Sequence, residues 1–167
     1  FAPAYVWSVG LHRPGTDIVG NTPYGYPCLL FASNGKIAWG STAGPGKVVD
    51  LYQEETDPTD PLRYRHAGAW HRMTTRTETI QVRGAAPATI EVHSSIHGPV
   101  VLFDAPQNTA YAKRRSWAGR EVESLLGWVQ LMQATDWDGF LAASRRVAIS
   151  INFYFADRAG NIGYCLV

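Results

Sequence analysis

The hydrophobic period of this chain changes at one point, and that change constrains the fold more than any single motif does. Up to about residue 115, short runs rich in Val, Thr and aromatic residues are broken by Gly, Pro, Asn and Asp. That is the texture of strands joined by turns. From residue 116, Val122, Leu125, Leu126, Val129 and Met132 recur at the spacing of an amphipathic helix. Ser116 is its expected N-cap, with Glu121 and Glu123 toward the positive end. Thr135 or Asp136 opens a second, shorter helix running to about Arg146. Val147 to Ala156 returns to strand, with Ile149, Ile151, Phe153 and Phe155 alternating with Ser150, Asn152 and Tyr154. Asp157 to Asn161 then turns the chain into a partner strand beginning at Ile162. Many strands, two helices and a closing hairpin give an α+β fold, not the alternation of a parallel α/β fold.

Turn chemistry sharpens this outline. Asn34-Gly35, between Cys28–Ser33 and Lys36–Ser41, predicts a hairpin with a type I′ turn. Ala67-Gly68 predicts a second hairpin, between Tyr64–His66 and Ala69–His71. Thr77–Val82 and Thr89–Ser94 read as strands around Arg83-Gly84. The acidic, Pro-containing stretch Glu54 to Pro61 reads as an exposed loop.

Composition removes several function classes. With 15 Lys+Arg against 14 Asp+Glu, the net charge is 15 − 14 = +1. This gives no basic field for nucleic acid or an anionic membrane. At 46% hydrophobic and 17% charged the chain is not disordered. No apolar run reaches the ~18 residues of a membrane span. A chain of 167 residues buries a real core, and residues 1–167 read as a single piece of one domain. It opens Phe1-Ala2-Pro3-Ala4-Tyr5 and closes inside the apolar run Ile162 to Val167. Both ends read as cuts in something longer. Cys28 and Cys165 make no C-x-x-C pair and read as small buried hydrophobes, their pairing left open.

Most local motifs have a structural reading. His93 and His97 lie four apart in strand-like sequence with no third ligand evident. Ser94-Ser95 lacks the G-x-S-x-G frame of a nucleophile elbow. His66 and His71 flank a turn and read as solvated. Gly44-Pro45-Gly46-Lys47 lacks the frame of a phosphate loop, and Lys113-Arg114-Arg115 reads as a solvated face. The stretch Gly40-Ser41-Thr42-Ala43-Gly44-Pro45-Gly46 carries more. Small residues let a backbone approach a ligand closely and aim N–H groups at it, as an oxyanion needs.

In order along the chain, Gly20-Asn21-Thr22-Pro23-Tyr24-Gly25-Tyr26-Pro27, Asn34-Gly35 and Trp39-Gly40-Ser41-Thr42-Ala43-Gly44 resemble the penicillin acylase (penicillin amidase) family. The resemblance continues through Tyr111-Ala112-Lys113, Glu121-Val122-x-Ser124-Leu125-Leu126-x-Trp128 and Ile151-Asn152-x-Tyr154-x-Ala156-Asp157-x-x-Gly160-Asn161-Ile162-Gly163-Tyr164. It covers essentially the whole chain. These are N-terminal nucleophile hydrolases, so the resemblance implies part of a four-layer αββα fold of antiparallel sheets. It also implies a precursor cut into α and β subunits, a zymogen whose new β-subunit N-terminal Ser attacks the substrate with its own amine as base. The chain begins with Phe1, so the resemblance makes it an interior fragment of a β subunit, inert alone, with the nucleophile outside it. Its partners would be the α subunit and the rest of the β subunit.

The family match implies a role for particular residues. Ala43 would supply a backbone N–H to the oxyanion hole. Phe31, Trp128 and Ile151 would line an acyl pocket, with Leu30 and Ser41 as weaker carry-overs. An aromatic wall suits a phenylacetyl-type acyl group, so the implied activity is hydrolysis of a linear amide, as in penicillin G. The alternatives are an N-acyl-homoserine lactone acylase of the same fold (quorum quenching) and a non-catalytic β-rich binding module. No cofactor is required. The family's structural calcium would meet Val49 and Asp50 here, but Lys47 stands where an acidic ligand is usual, and an ammonium repels a hard cation. The resemblance implies a periplasmic or extracellular location.

Overall fold

The computed structural model describes residues 6–167; the Phe1–Tyr5 opening lies outside the described residues. Its elements in chain order are β1 (Val6–Arg13), β2 (Thr16–Pro23), β3 (Phe31–Ser33), β4 (Ile37–Ala43), β5 (Val49–Asp57), β6 (Asp60–His66), β7 (Ala69–Arg72), β8 (Thr74–Ile80), β9 (Ala88–Ser95), β10 (Gly98–Asp104), β11 (Thr109–Arg115), α1 (Glu121–Leu131), α2 (Trp137–Ser144), β12 (Ile151–Asp157) and β13 (Ile162–Leu166). The expected α+β order is therefore present. The described residues fall into two compact units, residues 6–48 with 116–167, and residues 49–115.

The first unit is a six-stranded antiparallel sheet, ordered β1-β2-β3-β4-β12-β13, with both helices. Its core gathers Ile37, Trp39, Phe153 and Phe155 from the middle strands with Trp128 and Leu131 of α1 and Phe140 of α2. Alternation explains the set. Odd-numbered residues of β4 and β12 turn inward as cross-strand pairs, Trp39 opposite Phe155 and Ser41 opposite Phe153. The backbone N–H of Ser116 donates to the Val48 carbonyl at 2.9 Å, so the chain re-enters this unit beside the point where it left.

The second unit is a seven-stranded antiparallel sheet, ordered β7-β6-β5-β11-β10-β9-β8. Its small core is Tyr64, Met73 and Ala110, with Leu62 and Val100 against them. The segment expected as a loop, Glu54 to Pro61, is instead a hairpin. Glu54 and Thr56 are buried in β5, and only Pro58-Thr59 separates β5 from β6. Asp57 accepts hydrogen bonds from the Thr59 N–H and hydroxyl, which, with nearby Arg63, hold its carboxyl below its ordinary range. The charges thus close the turn.

Both predicted hairpins form, but the type I′ geometry is found at Ala67-Gly68 and not at Asn34-Gly35. At Ala67-Gly68 both residues have positive φ, 48° and 82°, as a type I′ turn requires. At Asn34-Gly35 only Gly35 is positive, so the expected type I′ turn is absent. Asn34 is held otherwise. Its Oδ1 accepts from the N–H groups of Lys36 and Ile37, and its Nδ2 donates to the carbonyls of Met132 and Ala134. Those carbonyls lie at and just past the end of α1, where the helix supplies no N–H donor of its own for them.

Helix α2 begins as expected, with Asp136 accepting from the Gly139 N–H at 2.9 Å. Helix α1 does not. Its N-cap is Arg120, and Ser116 instead donates its hydroxyl to the Ala148 carbonyl. The buried face is also rotated from the expected stripe. Gly127, Trp128 and Leu131 are buried, while Val122 is 72% exposed. Gly127 decides the rotation, because a Cβ there would stand 2.9 Å from the Ala143 carbonyl oxygen of α2.

Both cysteines are free thiols. Burial pushes the Cys28 thiol up to about 11, and Cys165 is raised for the same reason. The folded Cys28 thus resists ionisation where an unfolded thiol, near 9, does not. Its contribution to stability is complete below pH 9 and is lost as pH rises through 11. We expect the folded protein to leave Cys28 unalkylated by iodoacetamide at pH 8, with labelling only on denaturation; peptide mass mapping reads this directly.

Candidate active site

The candidate residues converge where β4, β12 and the Gly-rich turn meet. Ala43 closes β4 opposite Ile151. The next pair, Gly44 and Ser150, is hydrogen-bonded, with the Gly44 N–H donating to the Ser150 carbonyl at 2.9 Å. Bonding and non-bonding pairs alternate in an antiparallel ladder. Ala43 and Ile151 are therefore a non-bonded pair, and the Ala43 N–H is directed away from β12. It points to the β3 side of β4, where the pairing has already stopped at Trp39–Ala32.

The rest of the turn is committed. The Gly46 N–H donates to Ser150 Oγ at 3.1 Å, and Pro45 has no N–H. Of the amides from Ala43 to Gly46, two go to Ser150 and one is missing, which leaves Ala43. The glycines are required by space. A Cβ on Gly44 would stand 2.3 Å from Ser150 Oγ and 2.8 Å from its carbonyl carbon, and one on Gly46 2.6 Å from the same Oγ.

The predicted wall residues separate by face. Trp128 is 4% exposed and tilts against Phe153 with ring centroids 5.0 Å apart. Phe153 is paired with Ser41, which is also buried, and Leu30 and Ile151 pack against the same cluster. Phe31 is not with them. It is 40% exposed and lies over Gly40, on the face of the sheet that carries Tyr154.

A separate cleft lies elsewhere in this unit. A cleft of about 530 Å³ lies at the β1–β2 turn and the end of α1, bordered by His12, Arg13, Asp17, Asn34 and Met132. None of the predicted site residues borders it.

The sequence model of the penicillin amidase family matches residues 1–167. This chain belongs to the penicillin amidase family. It is 45% identical over 164 residues to penicillin G acylase of Escherichia coli, covering 98% of this chain and 19% of that protein. It is 30% identical over 159 residues to the acyl-homoserine lactone acylase QuiP of Pseudomonas fluorescens, covering 92% of this chain and 20% of that protein. Among solved structures, a thermostable penicillin G acylase from Alcaligenes faecalis matches with a TM-score of 0.92 at 50% identity, covering 98% of this chain and 30% of that one. The chain therefore spans about a fifth of the length of the curated relatives it matches. The antiparallel sheets and two helices are those of the penicillin acylase fold.

The family's calcium site fits poorly on these residues. Val49 and Asp50 open β5, with Asp50 opposite Arg114 in the ladder. A hard cation wants several anionic oxygens. Among the described residues, no three of His, Cys, Asp and Glu are placed to hold a metal ion.

One polar cluster of this penicillin amidase chain was not legible in its sequence. The Oε1 of Glu54, almost fully buried, accepts from Ser95 Oγ and from His97 Nδ1, the latter at 2.8 Å. Tyr52 stacks on His97 at 3.9 Å. His93 goes separately to Thr75 and Phe103, so the expected structural reading of the pair holds. No run of sequence signals Glu54, because its partners come from a distant hairpin.

Substituting Gly44→Ala puts a methyl group into Ser150. It should cost ~1–3 kcal/mol in urea unfolding, the usual range for overpacking a tight contact.

Proposed function

We propose that the protein carrying these residues hydrolyses the amide bond of N-arylacetyl substrates, penicillin G-like compounds among them. The carrying observation is the Ala43 N–H, the one amide of its turn left to a ligand. Family membership and the higher identity to penicillin G acylase than to a lactone acylase support the same reading.

The chemistry follows from this placement. An N-terminal Ser hydroxyl, carried outside these residues, attacks the amide carbonyl while its α-amine takes the proton. The carbonyl oxygen becomes an oxyanion, and the Ala43 N–H donates to it. Collapse breaks the C–N bond and the amine leaves with the proton; water then hydrolyses the acyl ester. A fixed amide dipole stabilises the oxyanion because it is already oriented when charge develops. Trp128 and Ile151, with Leu30 and Ser41 behind them, form the wall for the aryl group; Phe31, on the other face of the sheet, is not part of that wall. The α subunit and the remainder of the β subunit complete the site, so the isolated chain is inert. The proposal includes export to the periplasm or beyond. Any calcium would take the Val49 carbonyl and the Asp50 carboxylate only with further acidic ligands from outside these residues.

The second reading, a long-chain acyl-homoserine lactone acylase, rests on the relationship to QuiP. Substrate preference separates the two. The full, processed protein should turn over phenylacetyl-anilides and penicillin G at a higher kcat/KM than N-dodecanoyl-homoserine lactone; the reverse order would assign the second reading. Replacing Ala43 by Pro removes the donor without breaking a bond to β12. It should lower kcat on the amide by ~10²–10³, the effect of losing one oxyanion donor. An unchanged kcat would remove Ala43 from the mechanism.

A further inference from the structure

The outer face of β12 and β13 carries a side-chain network aimed at the backbone around Ala43. Asn152 Nδ2 donates to the Ala43 carbonyl at 2.8 Å and to Thr42 Oγ1 at 3.0 Å. Asn152 Oδ1 accepts from the Tyr164 hydroxyl at 2.8 Å. Three of the amide's hydrogen-bonding positions are therefore used, which fixes its orientation. Tyr164 is in turn braced by the Tyr154 ring at 5.7 Å.

The placement of these contacts is informative. The amide whose N–H we assign to the oxyanion joins Thr42 to Ala43. Asn152 holds the Thr42 side chain before that amide and the Ala43 carbonyl after it. Ser150 holds the following amides, through its carbonyl to Gly44 and its hydroxyl to Gly46. The peptide plane is thus gripped on both sides by alternate residues of one strand, while its own N–H is left to a ligand. Side chains that only stabilised the sheet would have no reason to converge on these groups. Tyr164 is half-exposed and Asn152 partly so, and neither belongs to the core.

We propose that Asn152, Ser150 and, through Asn152, Tyr164 are positioning residues that set the direction of the Ala43 N–H. None touches the substrate. The inference rests on the reading of Ala43 as an oxyanion donor. An oxyanion donor turned by a few tens of degrees loses most of its hydrogen bond to the transition state and little affinity for the ground state.

The test uses the full, processed protein with Tyr164→Phe, Asn152→Asp and Ser150→Ala. Tyr164→Phe removes one exposed hydroxyl and leaves the ring in place, so folding is not at issue for it. Asn152→Asp keeps the shape and the acceptor for Tyr164 but removes the donor to Ala43. On a phenylacetyl-anilide, Asn152→Asp should lower kcat ~10–100-fold with KM within about twofold, and Tyr164→Phe ~3–10-fold in the same manner. Inhibition by phenylacetaldehyde, whose adduct with the nucleophile carries the oxyanion, should weaken by the same factors. Inhibition by phenylacetate, a ground-state ligand of the acyl pocket, should not change. Unchanged kcat in both variants, or equal losses for aldehyde and acid, would overturn the positioning role while leaving amide hydrolysis intact. A wild-type protein with no amidase activity would instead overturn the proposed function, and this inference with it.

Discussion

The pairing of β4 with β12 is the constraint on which the first unit depends. It joins segments more than a hundred residues apart; Asn152 and Thr42, for example, are separated by 110 positions. Closing so long a loop costs only slowly more than closing a shorter one, because the entropy grows with the logarithm of length. The pairing is offset by what it brings together: Phe153 and Phe155 meet Ile37, Trp39 and the two helices. The Val48–Ser116 bond lowers the demand further by holding the exit and re-entry of the chain side by side. A side-chain period of two leaves no intermediate register. A slip of β12 by one residue would turn Phe153 and Phe155 out of the core.

That parity also explains why the site is divided between two faces. Inward positions of β4 and β12 carry Ser41, Phe153 and Ile151, of which Phe153 meets Trp128. Outward positions carry Thr42, Asn152 and Tyr154, with Tyr164 and Phe31 beside them. The apolar wall and the polar grip on the turn are therefore built from neighbouring residues of the same strands without competing for space. Alternation allows one short segment to serve packing on one side and backbone orientation on the other.

What could be read from the sequence was what is decided locally. Turn positions were legible at Ala67-Gly68 and Asn34-Gly35 because Gly marks a reversal whatever surrounds it. The turn type at Asn34 was not, because its side chain is drawn to carbonyls at the end of α1, almost a hundred residues away. The α2 cap was legible because Asp136 and Gly139 are three residues apart. The buried face of α1 is not legible in the sequence because apolar residues occupy most sides of that helix, and such a helix has no unique stripe. Gly127 was the available signal, since a glycine inside a helix marks close approach of another backbone. Glu54 was misread as loop because charge usually means exposure; its burial is permitted by Ser95 and His97, which satisfy the carboxylate. At the candidate site the family resemblance supplied Ala43 as a residue, and the ladder supplied the direction of its N–H.

The direction of one amide is a small thing to build from so many parts, and the hydrogen-bond accounting shows why the parts are needed. The turn from Ala43 to Gly46 is largely exposed, so water could satisfy its N–H groups, yet two of them are bonded within the protein. Ser150 takes two, and proline removes a third, so only one amide remains to be satisfied by something outside the turn. A free amide in a flexible loop would rotate toward water. Here rotation is opposed by the ladder before it, by Ser150 after it and by Asn152 across it. The same arrangement that avoids an unsatisfied donor on one side creates an oriented one on the other. Stability and the proposed chemistry therefore select the same small residues at Gly44 and Gly46: a side chain at either would separate the turn from Ser150 and release the amide from its direction.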